Sequence, residues 1–204
     1  MPKITAGSVP EHVAHQEAAV IEAAIRLFNE RGVRNVTLGD IAKEVGLARN
    51  SLYRYFPDKA HILAAWFRIT IAPLVAESNE IANDDTPFTD RLERWVDAQI
   101  AYLTDPDHAA MLMASNAMTD LPDDVRAELG DGHRELYDSL SVILRDAFAD
   151  HPDRDTAILT MLIAAVVRSG AEQARSGADI TVVQQELSYT VMSMIQPRAD
   201  GENP

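Results

Sequence analysis

The 204-residue chain contains no cysteine. That excludes disulfides, thiol nucleophiles and cysteine-built zinc sites, and removes any reason to infer an oxidising compartment. Lysine is scarce, with only Lys3, Lys43 and Lys59 and none beyond. Long apolar runs are also missing. The longest, residues 158–167, is interrupted by Thr160, and the N-terminus carries no signal-type stretch. A cytoplasmic protein with no membrane partner is expected. No window sustains the alternation of apolar and polar residues that a half-buried strand needs.

What is abundant is negative charge, a formal −14. On its face this argues against a nucleic-acid partner, because DNA attracts proteins through Lys and Arg contacts to phosphate. The distribution reverses that impression. Residues 1–63 hold eight Lys/Arg against seven Asp/Glu, net +1, which leaves ten Arg against twenty-five Asp/Glu, net −15, for residues 64–204. From Arg26 to Lys59 the balance is seven basic against four acidic, net +3. One local stretch can therefore face phosphate while the acidic body keeps the chain soluble.

Apolar residues recur at helical spacing almost throughout, and the chain reads as all-α with nine helices. Ile21, Ala24, Ile25 and Phe28 form one stripe of the first helix, which ends at Gly32; Ser8 with Glu11 suggests an early start. Thr37 with Asp40 caps the second helix, which stops at Gly46. The third runs from Arg49 to Phe56 and is closed by Pro57. Asp58 caps a long fourth helix with Pro73 inside it as an expected kink. Thr86-Pro87 and Asp105-Pro106 start the fifth and sixth. The seventh starts at Pro122 and breaks near Gly130 and Gly132. The eighth opens at Pro152-Asp153, and the ninth opens at Asp179 or Thr181 and ends near Gln196. Residues 9–57 are expected to form one domain, residues 58–196 a second, and residues 197–204 a disordered tail.

Two short helices joined by the three-residue turn Gly46-Leu47-Ala48 suit a helix-turn-helix, in which the second helix enters the major groove and the first braces it. Apolar Ile41, Ala42, Val45, Leu47 and Leu52 hold the pair together, leaving Arg49, Asn50, Ser51, Arg54 and Tyr55 to face outward. Arg pairs bidentately with guanine, Asn with adenine, and Ser or Tyr donates to phosphate.

Residues 21–63 (IEAAIRLFNERGVRNVTLGDIAKEVGLARNSLYRYFPDKAHIL) resemble the DNA-binding domain of the TetR family of bacterial transcriptional regulators, of the TetR/AcrR type. The resemblance is carried by Leu27-Phe28, Arg31-Gly32, Thr37, Asp40-Ile41-Ala42, Gly46-Leu47, Leu52-Tyr53-Arg54-Tyr55-Phe56 and Lys59, in order and at the family's spacing. It implies that Arg49, Asn50, Tyr53, Arg54 and Tyr55 face DNA and that Thr37 and Lys59 contact phosphate. Two positions in the same interface depart from the pattern. Ala48 stands where Ser is frequent, so the third helix has no side-chain cap, and Gly39 stands where many members carry a longer side chain.

The resemblance further implies a homodimer on a pseudo-palindromic operator in double-stranded DNA, and a C-terminal domain that binds a small hydrophobic effector and dimerises through its last two helices. Apolar faces for that purpose are legible at Ile158, Met161, Leu162, Ala165 and Val166, and at Val183, Leu187, Val191, Met194 and Ile195. Candidate pocket residues are Trp66, Phe67, Trp95, Tyr102, Met111, Met113, Met118, Tyr137 and Phe148, with Asn116, His133, Arg168 and Glu172 as polar orienting groups. Three methionines from Met111 to Met118 suggest a deformable wall, and the acidic body favours a neutral or cationic ligand. A repressor released by such a ligand is the expected function; the alternative is the same fold with no small-molecule ligand, answering to a protein partner.

An enzyme would need reactive groups, and the best on offer are two Asp-x-x-His pairs, Asp58 with His61 and Asp105 with His108. Both aspartates stand at helix starts, where capping accounts for them, so neither an enzyme nor a cofactor is expected.

Overall fold

The computed structural model describes residues 8–116, 118, 120–151 and 153–196, without the side chains of residues 8–10, Met113, Ser115 and Asn116. Nine α-helices and one 3-10 turn are present among them: α1 Ser8–Arg31, the 3-10 turn Val33–Asn35, α2 Leu38–Glu44, α3 Arg49–Leu52, α4 Lys59–Ala82, α5 Phe88–Thr104, α6 Pro106–Asn116, α7 Asp123–Ala147, α8 Thr156–Arg175 and α9 Ile180–Met194. The described residues contain no strand. The expected tail, residues 197–204, lies outside them, as do Pro152 and the side chain of Ser8.

Four helix boundaries differ from the sequence reading. α5 starts at Phe88, with Pro87 and not Thr86 as its N-cap. Only Arg49–Leu52 of the third helix is α-helical. It continues as tight turns to Phe56, with Arg54 N–H donating to Ser51 O at 3.2 Å and Tyr55 N–H to Leu52 O at 2.9 Å. Pro57 bars Phe56 from the α region, and the last turn tightens ahead of it. α7 runs unbroken through Gly130 and Gly132. Each glycine costs about 1 kcal/mol relative to alanine, but Val125, Leu136, Leu140, Ile143 and Leu144 on the same helix are buried and outweigh it. α8 begins at Thr156, later than expected, because Asp155 is its cap and accepts from Ile158 N–H at 3.0 Å. α4 is continuous through Pro73.

The helices gather into two compact units. Among the described residues, one contains residues 8–70 with those of Ala110–Gly130, and the other contains Ile71–Ala109 with those of 131–196. α4 contributes residues to both, the change falling between Thr70 and Ile71.

In the first unit, Val20, Ile21, Ala24, Leu27 and Phe28 of α1 are buried, as are Ile41 and Ala42 of α2 and Leu52 of α3. α1 packs on α2, and α2 on α3. A smaller cluster joins Ala60 and Ala64 of α4 to Val125 of α7.

The core of the second unit is built from Leu92, Trp95, Val96 and Ile100 of α5, Leu140, Ile143 and Leu144 of α7, Leu159, Ile163 and Val167 of α8, and Leu187, Val191 and Ile195 of α9. This narrows the reading of the ninth helix: Leu187, Val191 and Ile195 are buried in the chain's own core, while Val183 and Met194 are half-buried. On α8, by contrast, Ile158, Met161 and Leu162 are more than half exposed, and Val182 and Tyr189 of α9 are exposed beside them in sequence order. α4 and α8 are each long and apolar enough to cross a membrane by length and composition alone; half of the apolar window of α4 is buried in the fold, but only a third of that of α8.

A candidate DNA interface and its surroundings

The turn between α2 and α3 is fixed by its sequence. Leu47 N–H donates to Ala42 O at 2.8 Å and Gly46 N–H to Lys43 O at 3.3 Å, the paired bonds of a helix ending in a left-handed residue. Gly46 supplies that residue with φ of 70°, which side chains resist. α2 starts from a complete capping box in which Thr37 Oγ1 accepts from Asp40 N–H at 3.2 Å and Thr37 N–H donates to Asp40 Oδ2 at 2.9 Å. The Thr37 hydroxyl also donates to Asp40 at 2.6 Å and, with the Thr37 N–H, holds the Asp40 carboxyl below its usual range. Both polar groups of Thr37 expected at phosphate are thus engaged within the box.

The outward face of the second helix carries Arg49, Asn50, Tyr53 and Arg54, all exposed, with Ser51 and Tyr55 half-buried. Arg49 donates to Tyr53 Oη at 3.1 Å, and its guanidinium lies 5.7 Å from the centre of the Tyr53 ring. The pair holds a planar cation and a phenol together on the surface, the combination that recognises base edges and phosphate. Ala48 is the N-cap of α3 and makes no side-chain bond. Gly39 is half-buried, and a Cβ there would lie 3.5 Å from Thr37 Oγ1.

Lys59 is placed differently from its expected role. Its ammonium donates to Val33 O at 2.6 Å and Val36 O at 2.7 Å, and burial lowers its pKa. Two of its three N–H groups are spent clamping α4 to the segment between α1 and α2. Two residues on, His61 Nδ1 lies 2.9 Å from Asp58 Oδ1, and Nε2 lies 3.2 Å from Asp124 Oδ2 at the start of α7. The bond to Asp58 raises the His61 pKa against partial desolvation, and Asp124 adds to the rise. Asp58 also accepts from His61 N–H at 3.0 Å and Asp105 from His108 N–H at 3.1 Å, so both aspartates are caps. No cluster able to hold a metal occurs among the described residues.

The expected pocket residues scatter. Trp66 and Phe67 are buried on the α4 portion of the first unit. Trp95 is 1% exposed in the second-unit core, with its indole N–H donating to Ser139 Oγ at 3.0 Å. Phe148 is in the same core. Arg168 donates to Tyr137 Oη at 3.3 Å. Met113 and Asn116 fall outside the described side chains. The open grooves among the described residues include one of about 530 Å³ lined by residues including Val33, Lys59, Ala60 and Met118, one of about 510 Å³ lined by Glu22, Ile25, Arg26, Asn29 and Glu30, and one of about 470 Å³ lined by Glu77, Glu80, Ile81, Arg94, Asp97, Ala98 and Ala101. Of the expected lining residues, Met118 alone is among those that line these three.

In sequence His108 stands out only as half of an Asp-x-x-His pair and not as a pocket residue. It is 3% exposed, its ring centroid is 4.1 Å from that of Tyr102, and neither ring nitrogen has a hydrogen-bond partner among the described residues. Burial, with Arg175 and His133 nearby, lowers its pKa to about 4. The signal available was the Asp105-x-x-His108 spacing, which explains the cap but not where the imidazole points.

α3 and the turns that follow it carry Arg49, Asn50 and Arg54 outward and pack on α2, the arrangement of a helix-turn-helix. Residues 20–66 match the family described as bacterial regulatory proteins, tetR family. The transcriptional regulator TtgR of Pseudomonas putida is 42% identical over 55 residues, 27% of this chain and 26% of that protein. A Staphylococcus aureus regulator, SAB2452, is 33% identical over 63 residues, 31% of this chain and 34% of that one. The matched stretches thus span only a quarter to a third of these relatives. Over the whole fold, the chain is similar to the transcriptional regulator FadR of Bacillus subtilis in complex with stearoyl-CoA, with a TM-score of 0.71, 17% identity, and coverage of 88% of this chain and 99% of that one. Relatives and structural neighbours alike are named as transcriptional regulators, not as enzymes.

Proposed function

We propose that this chain is a sequence-specific, cytoplasmic DNA-binding repressor that acts as a homodimer on a pseudo-palindromic operator and is released by a small, mainly hydrophobic ligand. One observation carries the DNA half: Arg49 and Asn50 of α3, and Tyr53 and Arg54 in the turns that continue it, are all exposed while Leu52 between them is fully buried. The local excess of Lys and Arg between Arg26 and Lys59 favours phosphate despite the acidic body.

The exposed apolar stripe Ile158, Met161 and Leu162 supports dimerisation, since a two-fold pair of reading helices spaced by about 34–36 Å matches one turn of DNA. Ligand control is supported by the neighbour solved with stearoyl-CoA. The alternative reading, a protein of this fold with no effector, draws on Trp95 being packed in a filled core.

Selection of binding sites from random duplex DNA, followed by anisotropy titration, tests the proposal. An inverted repeat with half-sites one helical turn apart is expected. Binding with no sequence preference sinks it.

A further inference from the structure

We propose that buried His108 is the polar anchor of an effector site in the second unit, taking a neutral, largely apolar ligand through a hydroxyl or carboxamide group; this rests on the ligand-sensor reading above. The observation behind it is a polar side chain that the fold hides and leaves unused. Both ring nitrogens of His108 are buried without a partner among the described residues, and its ring lies against that of Tyr102. A buried imidazole with neither nitrogen bonded is unfavourable, and native proteins rarely retain such a group without a use for it.

The surroundings choose the ligand's chemistry. A neutral imidazole offers one N–H donor and one lone pair. A hydroxyl or carboxamide meets both needs, since it donates and accepts. A carboxylate only accepts, which would leave the second nitrogen unpaired. The cation nearest to hand for a carboxylate is already occupied: Arg175 donates to Leu103 O at 2.6 Å and pairs with Glu172. A cationic ligand would meet Arg175 and His133, which already disfavour a positive charge at His108, with only Asp105 opposing them. Charge of either sign is therefore selected against.

The test uses the full-length protein, wild type and His108→Leu, in thermal-shift titrations with three probes of one chain length below their micellar concentrations: 1-decanol, decanoate and decyltrimethylammonium. Decanol is expected to raise the wild-type melting temperature at lower concentration than either ion. His108→Leu is expected to need roughly tenfold more decanol, the loss of one hydrogen-bonded anchor. Without any probe, His108→Leu is expected to melt no lower than wild type, because it removes an unpaired polar group. A lower melting temperature would mean that His108 is already satisfied within the fold, and would overturn the proposal. A wild-type response to decanol that His108→Leu leaves unchanged removes this anchor but leaves the sensor reading standing. A wild type that responds to none of the three removes both.

Discussion

Leu187 of α9 lies so close over Gly170 of α8 that a Cβ at position 170 would come within 2.5 Å of Leu187 Cδ1 and 2.9 Å of its Cγ. Gly170 is helical, so its value is the space it leaves and not its backbone freedom. Gly170→Ala would gain about 1 kcal/mol of helix propensity. Overpacking the buried Leu187 costs about 1–3 kcal/mol. Net destabilisation and a melting temperature lower by several degrees are expected by calorimetry, with Leu187→Ala partly relieving the clash in the double variant. A Gly170→Ala protein as stable as wild type would contradict this packing.

Charge placed on the exposed stripe of α8 separates association from folding. Met161→Asp and Leu162→Asp are expected to give folded monomers, because both side chains are more than half exposed while an unpartnered charge at an interface is strongly unfavourable. Leu187→Asp, at a buried position, is expected to unfold the second unit instead. Light scattering and circular dichroism on the three variants decide it, and folded dimers of Met161→Asp would remove α8 from the interface.

Arginine and lysine near the reading helix are expected to behave differently. Arg49→Ala and Arg54→Ala should weaken binding to the selected operator by about 1–3 kcal/mol and leave stability nearly unchanged. Lys59→Met would strip the Val33 and Val36 carbonyls of their donor. It should therefore cost about 1–3 kcal/mol in folding stability as well as DNA affinity. Urea denaturation beside anisotropy titration makes the comparison; an undiminished Lys59→Met midpoint would return that lysine to a pure phosphate role.

Two histidines should give opposite pH signatures. The His61 pKa is raised by its bond to Asp58, so its contribution is fully present below the unfolded value of 6.5 and fades as pH rises through the higher native value. His108, with a native value of about 4, acts the other way: as pH falls from 6.5 towards 4, the unfolded chain takes up a proton that the native chain refuses, and stability drops. The two carboxylates that hold His61, Asp58 and Asp124, have native values below 3.8 and lose their contribution only at more acidic pH. Melting temperatures from pH 5 to 8 should show His61→Asn losing stability at the acidic end relative to wild type and His108→Leu gaining it. Parallel profiles for the two variants would contradict both assignments.

By itself the sequence determined the nine helices, the caps at Thr37, Asp58, Asp105 and Asp179, the turn at Gly46 and the outward cationic face of the reading helix. These are local matters, settled by periodicity, capping groups and left-handed positions within a few residues of one another. The family resemblance was legible for the same reason, since its motif is confined to one short contiguous stretch. Only the tertiary structure decided which apolar faces stay at home. The stripes on α8 and α9 read alike in sequence, yet Leu187 and Val191 turn inward against α8 while Met161 and Leu162 remain exposed. It also decided that Lys59 clamps two carbonyls at positions 33 and 36, and that His108 is buried with nothing to bond among the described residues. Periodicity gives the direction of a face around its own helix; what covers that face, and which donors and acceptors meet across long separations, depends on how distant segments pack.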